Sequence, residues 1–328
     1  MSNINNLKPF IELDYPEFNK HKKINDVLYP NDRAFSLKNI SGLEWYKQFE
    51  QIVINSLIKK KYLPIYRMGD GEYSFYLGKS YINILPPWKL TWKQNLYKFK
   101  NLFNTKHTSG SITDGLEEYS KTEKNILRAL YFKQIREISN NGILAMGMNN
   151  EGIYKKYVDL ILKGFDQENI ILTVDNYFHV YHVYAMFSSS FKNYLFENRN
   201  ILIITSLNNE KERKICKYFL EYKVKRIDFY TISKNKSMLE KLNIDKINLD
   251  VDLVLIAGGI GSINILTQLK FLNCPCIDIG TLLGNFIEPD RCYDRPYMVS
   301  DEIFDLNKIK FLNQTQKRIV KSKHPDIF

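Results

Sequence analysis

Short apolar runs alternate with amphipathic stretches along most of the chain. From Gly42 to Lys61 the apolar positions Leu43, Phe49, Ile52, Val53 and Leu57 recur at helical spacing. Tyr62-Leu63-Pro64-Ile65-Tyr66 then reads as a short strand with a proline near its start. Residues 90–104 and 115–139 read as helices, joined by the small-residue loop Thr108-Ser109-Gly110-Ser111-Ile112-Thr113-Asp114-Gly115. Beyond it the period shortens. Strands are expected at Gly142–Gly147, Ile170–Val174, Ile201–Thr205, Val224–Tyr230, Leu253–Ala257 and Cys276–Gly280. Helices are expected between them at 151–163, 177–197, 209–222 and 262–272. Short apolar strands alternating with helices predict an α/β, Rossmann-like fold, a mostly parallel sheet with helices on both faces.

Residues 1–40 are polar, proline-punctuated and weakly periodic, and read as an N-terminal arm over the body. Residues 41–300 form the expected α/β domain, and 301–328 a basic C-terminal tail. The chain has 328 residues with 44% hydrophobic content, ample for a core, and no apolar stretch of the roughly 18 residues that a membrane span requires. Met1–Asn6 lacks the basic-then-apolar pattern of a secretory leader, so a cytoplasmic protein is expected. Cys274 and Cys276 form C-P-C rather than C-x-x-C, and Cys216 and Cys292 stand apart; reduced thiols are expected.

The formal charge of +11 suits an anionic partner, whether nucleic acid, a membrane surface or phosphate-bearing substrates, and a compositional bias to lysine and asparagine is the alternative. Its concentrations are Lys20-His21-Lys22-Lys23, Lys59-Lys60-Lys61 and the tail from Lys308 to Lys323. The second also answers a helix dipole.

Candidate chemistry falls at strand ends, where ligands bind in sheets of this kind. The first site is Arg67-Met68-Gly69-Asp70-Gly71-Glu72. If the backbone stays extended, Asp70 and Glu72 share one side and suit a hard divalent ion that also holds phosphates. Ordinary turn chemistry is the alternative. The second is Thr205-Ser206-Leu207-Asn208-Asn209, ahead of a helix N-terminus. The third is Ala257-Gly258-Gly259-Ile260-Gly261-Ser262, whose backbone N–H groups can meet a phosphate or ribose. A dinucleotide site on that loop, with Asp278 on the ribose, fails the G-x-G-x-x-G spacing and has too little chain after it. His179 and His182 lack a third ligand at metal-site spacing and read as packed histidines.

Arg67-Met68-Gly69-Asp70-Gly71-Glu72 followed by Leu77-Gly78-Lys79-Ser80 resembles the "R-[FY]-G-D-G-E … G-K-S" signature of the GT-D-fold glycosyltransferases. Ile201–Thr205, Leu255-Ile256-Ala257-Gly258-Gly259 and Cys276-Ile277-Asp278-Ile279-Gly280 are similar to that family's later strands, in the same order. The chain departs from the pattern at Met68, at Thr281, and in the loop Ser206–Asn209.

The resemblance implies a GT-D-type fold and a transferase acting on a nucleotide-sugar donor, a UDP-sugar first among them. Mn²⁺ or Mg²⁺ would sit on the D-x-E carboxylates Asp70 and Glu72. Asp70, Glu72 and Asp278 become the expected catalytic carboxylates. Arg67, Gly69, Gly71, Lys79, Ser206, Asn208, Gly258 and Gly259 become the expected substrate contacts. Arg67 can meet phosphate or pair with Glu72, Trp88 can pack in the core or its loop or else stack on a sugar, and Asp114, Asp278 or Glu288 can supply a base if the reaction inverts.

The implied acceptor is a glycan, glycoprotein or lipid-linked chain of surface polysaccharide. Its assembly would be at the inner face of the membrane, where the basic tail could touch anionic lipid. The alternatives are a basic nucleic-acid- or membrane-binding protein, and a nucleotide-binding regulator without catalysis.

Overall fold

The computed structural model of the chain describes residues 8–12, 33–78, 119–148 and 152–288. Lys79, Trp88, Asp114, Cys292, the expected helix at 90–104, the loop at 108–115 and the tail from 301 lie outside the described residues.

Strands β1 (Lys8–Glu12) and β2 (Arg33–Ser36) come first, then helix α1 (Gly42–Lys59) and strand β3 (Leu63–Met68). Helices α2 (Asp70–Leu77) and α3 (Lys121–Asn141) lead to β4 (Ile143–Met146), α4 (Gly152–Gln167) and β5 (Tyr177–His179). Next are α5 (Val180–Ser188), α6 (Phe191–Phe196), β6 (Asn200–Thr205), α7 (Asn209–Leu220) and β7 (Arg226–Thr231). Last come β8 (Leu253–Ala257), α8 (Ser262–Gln268), β9 (Pro275–Asp278) and α9 (Leu283–Ile287).

Strands β3 to β9 form one seven-stranded sheet in the order β5-β4-β3-β9-β8-β6-β7, with every ladder parallel. This is the expected α/β sheet. β4, β6 and β9 are buried along their whole length, as continuous apolar runs require when both faces are covered.

The neighbours Tyr66 and Arg67 of β3 show the two faces. The Tyr66 hydroxyl meets that of Tyr131 on α3 at 2.9 Å, while the Arg67 guanidinium reaches Tyr184 on α5 at 2.7 Å. On the first face Gln134 of α3 donates to Asn264 of α8 at 3.0 Å. On the second, Trp45 and Phe49 of α1 pack on Phe178 and His182.

Local chemistry sets the helix ends. Ser41 caps α1 by accepting the Glu44 N–H at 3.1 Å. Ser120 and Glu123 form a reciprocal capping box at the start of α3.

Two expectations are corrected. Ile170–Val174 is not a strand, because Asn176 diverts its backbone groups. The Asn176 side chain accepts the Thr173 N–H at 2.7 Å and donates to the carbonyls of Ile171 and Ser139 at 2.9 and 2.8 Å. The strand forms later, at Tyr177–His179, inside the stretch expected to be one helix over 177–197. It pairs with β4 from Leu144↔Tyr177 to Met146↔His179, and the helical remainder is split into α5 and α6. The arm carries a small antiparallel ladder, β1 with β2. It is fastened where the Phe35 N–H donates to Met148 and the Tyr177 hydroxyl donates to the Phe35 carbonyl.

Gly142, between α3 and β4, lies against the backbone of Pro64 so closely that a Cβ there would collide with the Pro64 carbonyl. Gly142→Ala is therefore expected to lower stability by about 1–3 kcal/mol, the usual cost of overpacking. Urea unfolding measures this, and a midpoint equal to wild type would contradict the packing described.

Candidate active site

The chain leaves β3 toward β4 on one side. After β9 it turns to α9, which packs on α7 through Phe286 against Tyr218 and Phe219 on the other side. The carboxyl ends of β3 and β9 thus diverge at a switch point, the place where open parallel sheets bind ligands. Arg67, Glu72 and Asp278 meet there.

Their arrangement follows from how β3 ends. Gly69 is the N-cap of α2, so Asp70 opens a helix. The expectation of an extended run is corrected at this point, since α2 begins at Asp70 itself. The Glu72 carboxylate turns back and accepts the Gly69 N–H at 3.0 Å, placing its charge at the positive end of the helix. At the end of β9 the buried Asp278 accepts the Arg67 N–H at 3.4 Å and the Gly280 N–H at 3.2 Å. The first of these bonds extends the β3–β9 pairing past its last register pair, Ile65↔Ile277.

Arg67 crosses to the other face. One guanidinium nitrogen donates to the Tyr184 hydroxyl at 2.7 Å, and the guanidinium carbon sits 5.2 Å from the Tyr184 ring centre. Gly280 backs it: φ there is +43°, and a Cβ would collide with the Arg67 guanidinium. Gly280 is thus needed twice, for its left-handed backbone and for its missing side chain.

The electrostatics are strained by burial. Burial first, and the Asp278 charge second, push the Glu72 carboxyl up to about 7, against the pull of Arg67 and the Gly69 N–H. Burial also raises Asp278, although Arg67, the Ser262 hydroxyl and the two backbone N–H groups all pull it down. Two carboxylates thus face one guanidinium.

Among the described residues no three His, Cys, Asp or Glu side chains gather as a ready ion-binding set. Glu72 and Asp278 nonetheless offer the hard oxygen chemistry that Mg²⁺ or Mn²⁺ takes from one or two carboxylates. Their mutual repulsion is what a cation would relieve.

The other expected contacts fall along the same edge. Asn208 caps α7, its side chain accepting the Lys211 N–H at 3.2 Å, and Ser206 is half-buried beside it. Thr205 pairs with Ala257, so this loop neighbours the glycine loop. That loop is largely closed on itself. The Gly258 N–H goes to the Ser262 hydroxyl at 3.1 Å, and its carbonyl accepts the Ser237 hydroxyl at 2.9 Å. Gly259 stays partly exposed. Gly71 lies buried in the first turn of α2, and Glu288 is exposed at the end of α9.

His179 and His182 are packed histidines. His179 accepts the Tyr181 N–H at 3.2 Å, and burial pushes it down to about 3. His182 sits among Trp45, Tyr46, Phe49 and Phe178. Cys274 and Cys276 are buried free thiols, and Cys216 is a partly exposed one. No helix among the described residues is long and apolar enough to cross a membrane.

Tyr184 and Gly280 were not among the expected site residues. Gly280, directly after the strand that carries Asp278, gave a signal as a strand-end glycine. Tyr184 gave none, since nothing in its spacing ties it to Arg67, 117 residues earlier.

Glu72 sets a pH test on the metal-free protein. Its carboxyl titrates near 7 when folded and at an ordinary 4.5 when unfolded. The neutral form is favoured in the fold, so its contribution is full below about 4.5 and is lost as pH rises to about 7. The difference of about 2.5 pH units caps the effect at roughly 3 kcal/mol, less for the part of Glu72 that water reaches. The buried histidines act in the opposite sense, so the readout is the difference between wild type and Glu72→Gln. With chelator present, Glu72→Gln is expected to gain stability relative to wild type between pH 4.5 and 7. Parallel curves would contradict the burial of this carboxyl.

Compared with known proteins, the chain matches no family model, no curated protein and no solved structure.

Proposed function

We propose that the chain is a divalent-metal-dependent glycosyltransferase of the GT-D type, moving a sugar from a nucleoside diphosphate donor, with a UDP-sugar as the first candidate. The observation that carries this reading is the meeting of Arg67, Glu72 and Asp278 at the β3–β9 switch point. The resemblance of Arg67–Glu72 and Cys276–Gly280 to the GT-D signature supports it independently.

Asp70 and Glu72 would hold Mn²⁺ or Mg²⁺, with Asp278 adding negative charge behind them. When bound, the ion supplies Lewis-acid stabilisation of the charge that develops on the departing diphosphate. The chain's own residues do the rest. Arg67 offers a planar fork to the phosphate oxygens. Asp278, through the Arg67 N–H, keeps the ends of β3 and β9 together. The ends of β3, β9, β8 and β6 stand side by side over roughly 14 Å, three strand spacings. A diphosphate at β3–β9 would therefore extend its nucleoside toward Gly259 and Ser206.

Asp278 serves here as a charged support, its two oxygens accepting the Arg67 and Gly280 backbone N–H groups. The acceptor we propose is a glycan, glycoprotein or lipid-linked chain used in surface polysaccharide assembly.

Donor hydrolysis or transfer, assayed over a panel of nucleoside diphosphate sugars with Mn²⁺, tests the reading. Asp70→Ala and Glu72→Ala are expected to lose about 100-fold or more in turnover, the loss of several kcal/mol of charge stabilisation. Turnover like wild type in both variants would remove the metal assignment.

A further inference from the structure

Arg67 is held from two sides before any ligand arrives. Its guanidinium donates to the Tyr184 hydroxyl at 2.7 Å and lies over the same ring, 5.2 Å from its centre. On the other side Gly280 closes to a distance that admits no Cβ. Tyr184 itself is buried in α5, in contact with the Tyr181 ring at 5.8 Å. The phenol is therefore fixed by its own packing, and it fixes Arg67 in turn.

We infer that Tyr184 is a positioning residue that aims the Arg67 guanidinium at the crevice beyond β3 and β9, where it receives the donor's diphosphate. The inference rests on the donor reading above for the identity of the ligand, and on the contacts just described for the aiming. An unrestrained arginine has several rotatable bonds, and binding must freeze them. A phenol suits this task better than a carboxylate. It accepts a single guanidinium N–H, where a carboxylate can take two at once. Being neutral, it holds the side chain without cancelling the positive charge that a phosphate needs. Glu72 and Asp278 pull on the same charge from the other face, so without Tyr184 the guanidinium is drawn back toward them.

The test is a double-mutant cycle read by calorimetric binding of uridine diphosphate with Mn²⁺ to the full chain. The four proteins are wild type, Tyr184→Phe, Arg67→Met and the double variant. Tyr184→Phe keeps the ring and its packing, and equal urea midpoints would confirm that the fold is intact. The expected result is a loss of about tenfold in affinity for Tyr184→Phe, the scale of one hydrogen bond to a charged group. In the Arg67→Met background the same change is expected to cost nothing further. An equal loss in both backgrounds, or no loss in either, would overturn the inference.

A second measurement separates this from a failure of the donor reading. In protein with ¹⁵N-labelled arginine, rotation about the Arg67 Nε–Cζ bond is expected to be slow in wild type and fast in Tyr184→Phe. If wild type binds no diphosphate, the donor reading fails while slowed rotation still upholds the anchoring. Equal rotation in the two proteins would overturn it whatever binds.

Discussion

The junction of β3 with β9 carries the rest of this structure. One half of the sheet, β3 to β5, and the other, β6 to β9, share that single ladder, which has only three register pairs. Asp278 lengthens it by accepting the Arg67 N–H across 211 residues of chain, then turns the backbone by accepting the Gly280 N–H. The same carboxylate that ties the halves together also faces Glu72. The site and the seam of the fold are therefore one set of contacts.

The energies explain why the cluster sits near balance. Taking a carboxylate out of water costs several kcal/mol even after relaxation. Hydrogen bonds to a charged group return about 1.5–3 kcal/mol each. Asp278 has two backbone donors and the Ser262 hydroxyl, together with the Arg67 charge, and burial still leaves it raised. Glu72 has one backbone cap and a share of Arg67, and it ends higher, near 7. A single guanidinium does not offset two carboxylates, and a divalent cation would. The arrangement is costly as scaffolding.

Much of this was legible in the sequence. The apolar runs at β3, β4, β6, β8 and β9 announced a parallel sheet, because strands covered on both faces have no polar side to interrupt them. Arg67, Glu72 and Asp278 were each singled out at strand ends. Their proximity could not be read, since it depends on β9 inserting beside β3 rather than at an edge. Three features were hidden by local side-chain choices. Asn176 unmade the strand expected at Ile170–Val174 by taking up its backbone groups. Gly69 began a helix where an extended Asp70–Glu72 was expected. Ser237 and Ser262 closed a glycine loop that looked open.

The most direct test of the central claim is a crystal structure of the chain grown with uridine diphosphate and Mn²⁺. The account predicts an anomalous manganese peak within coordination distance of Glu72 at the end of β3, with the diphosphate beside Arg67. A diphosphate bound elsewhere, or bound at this crevice with no manganese against Glu72, would contradict it.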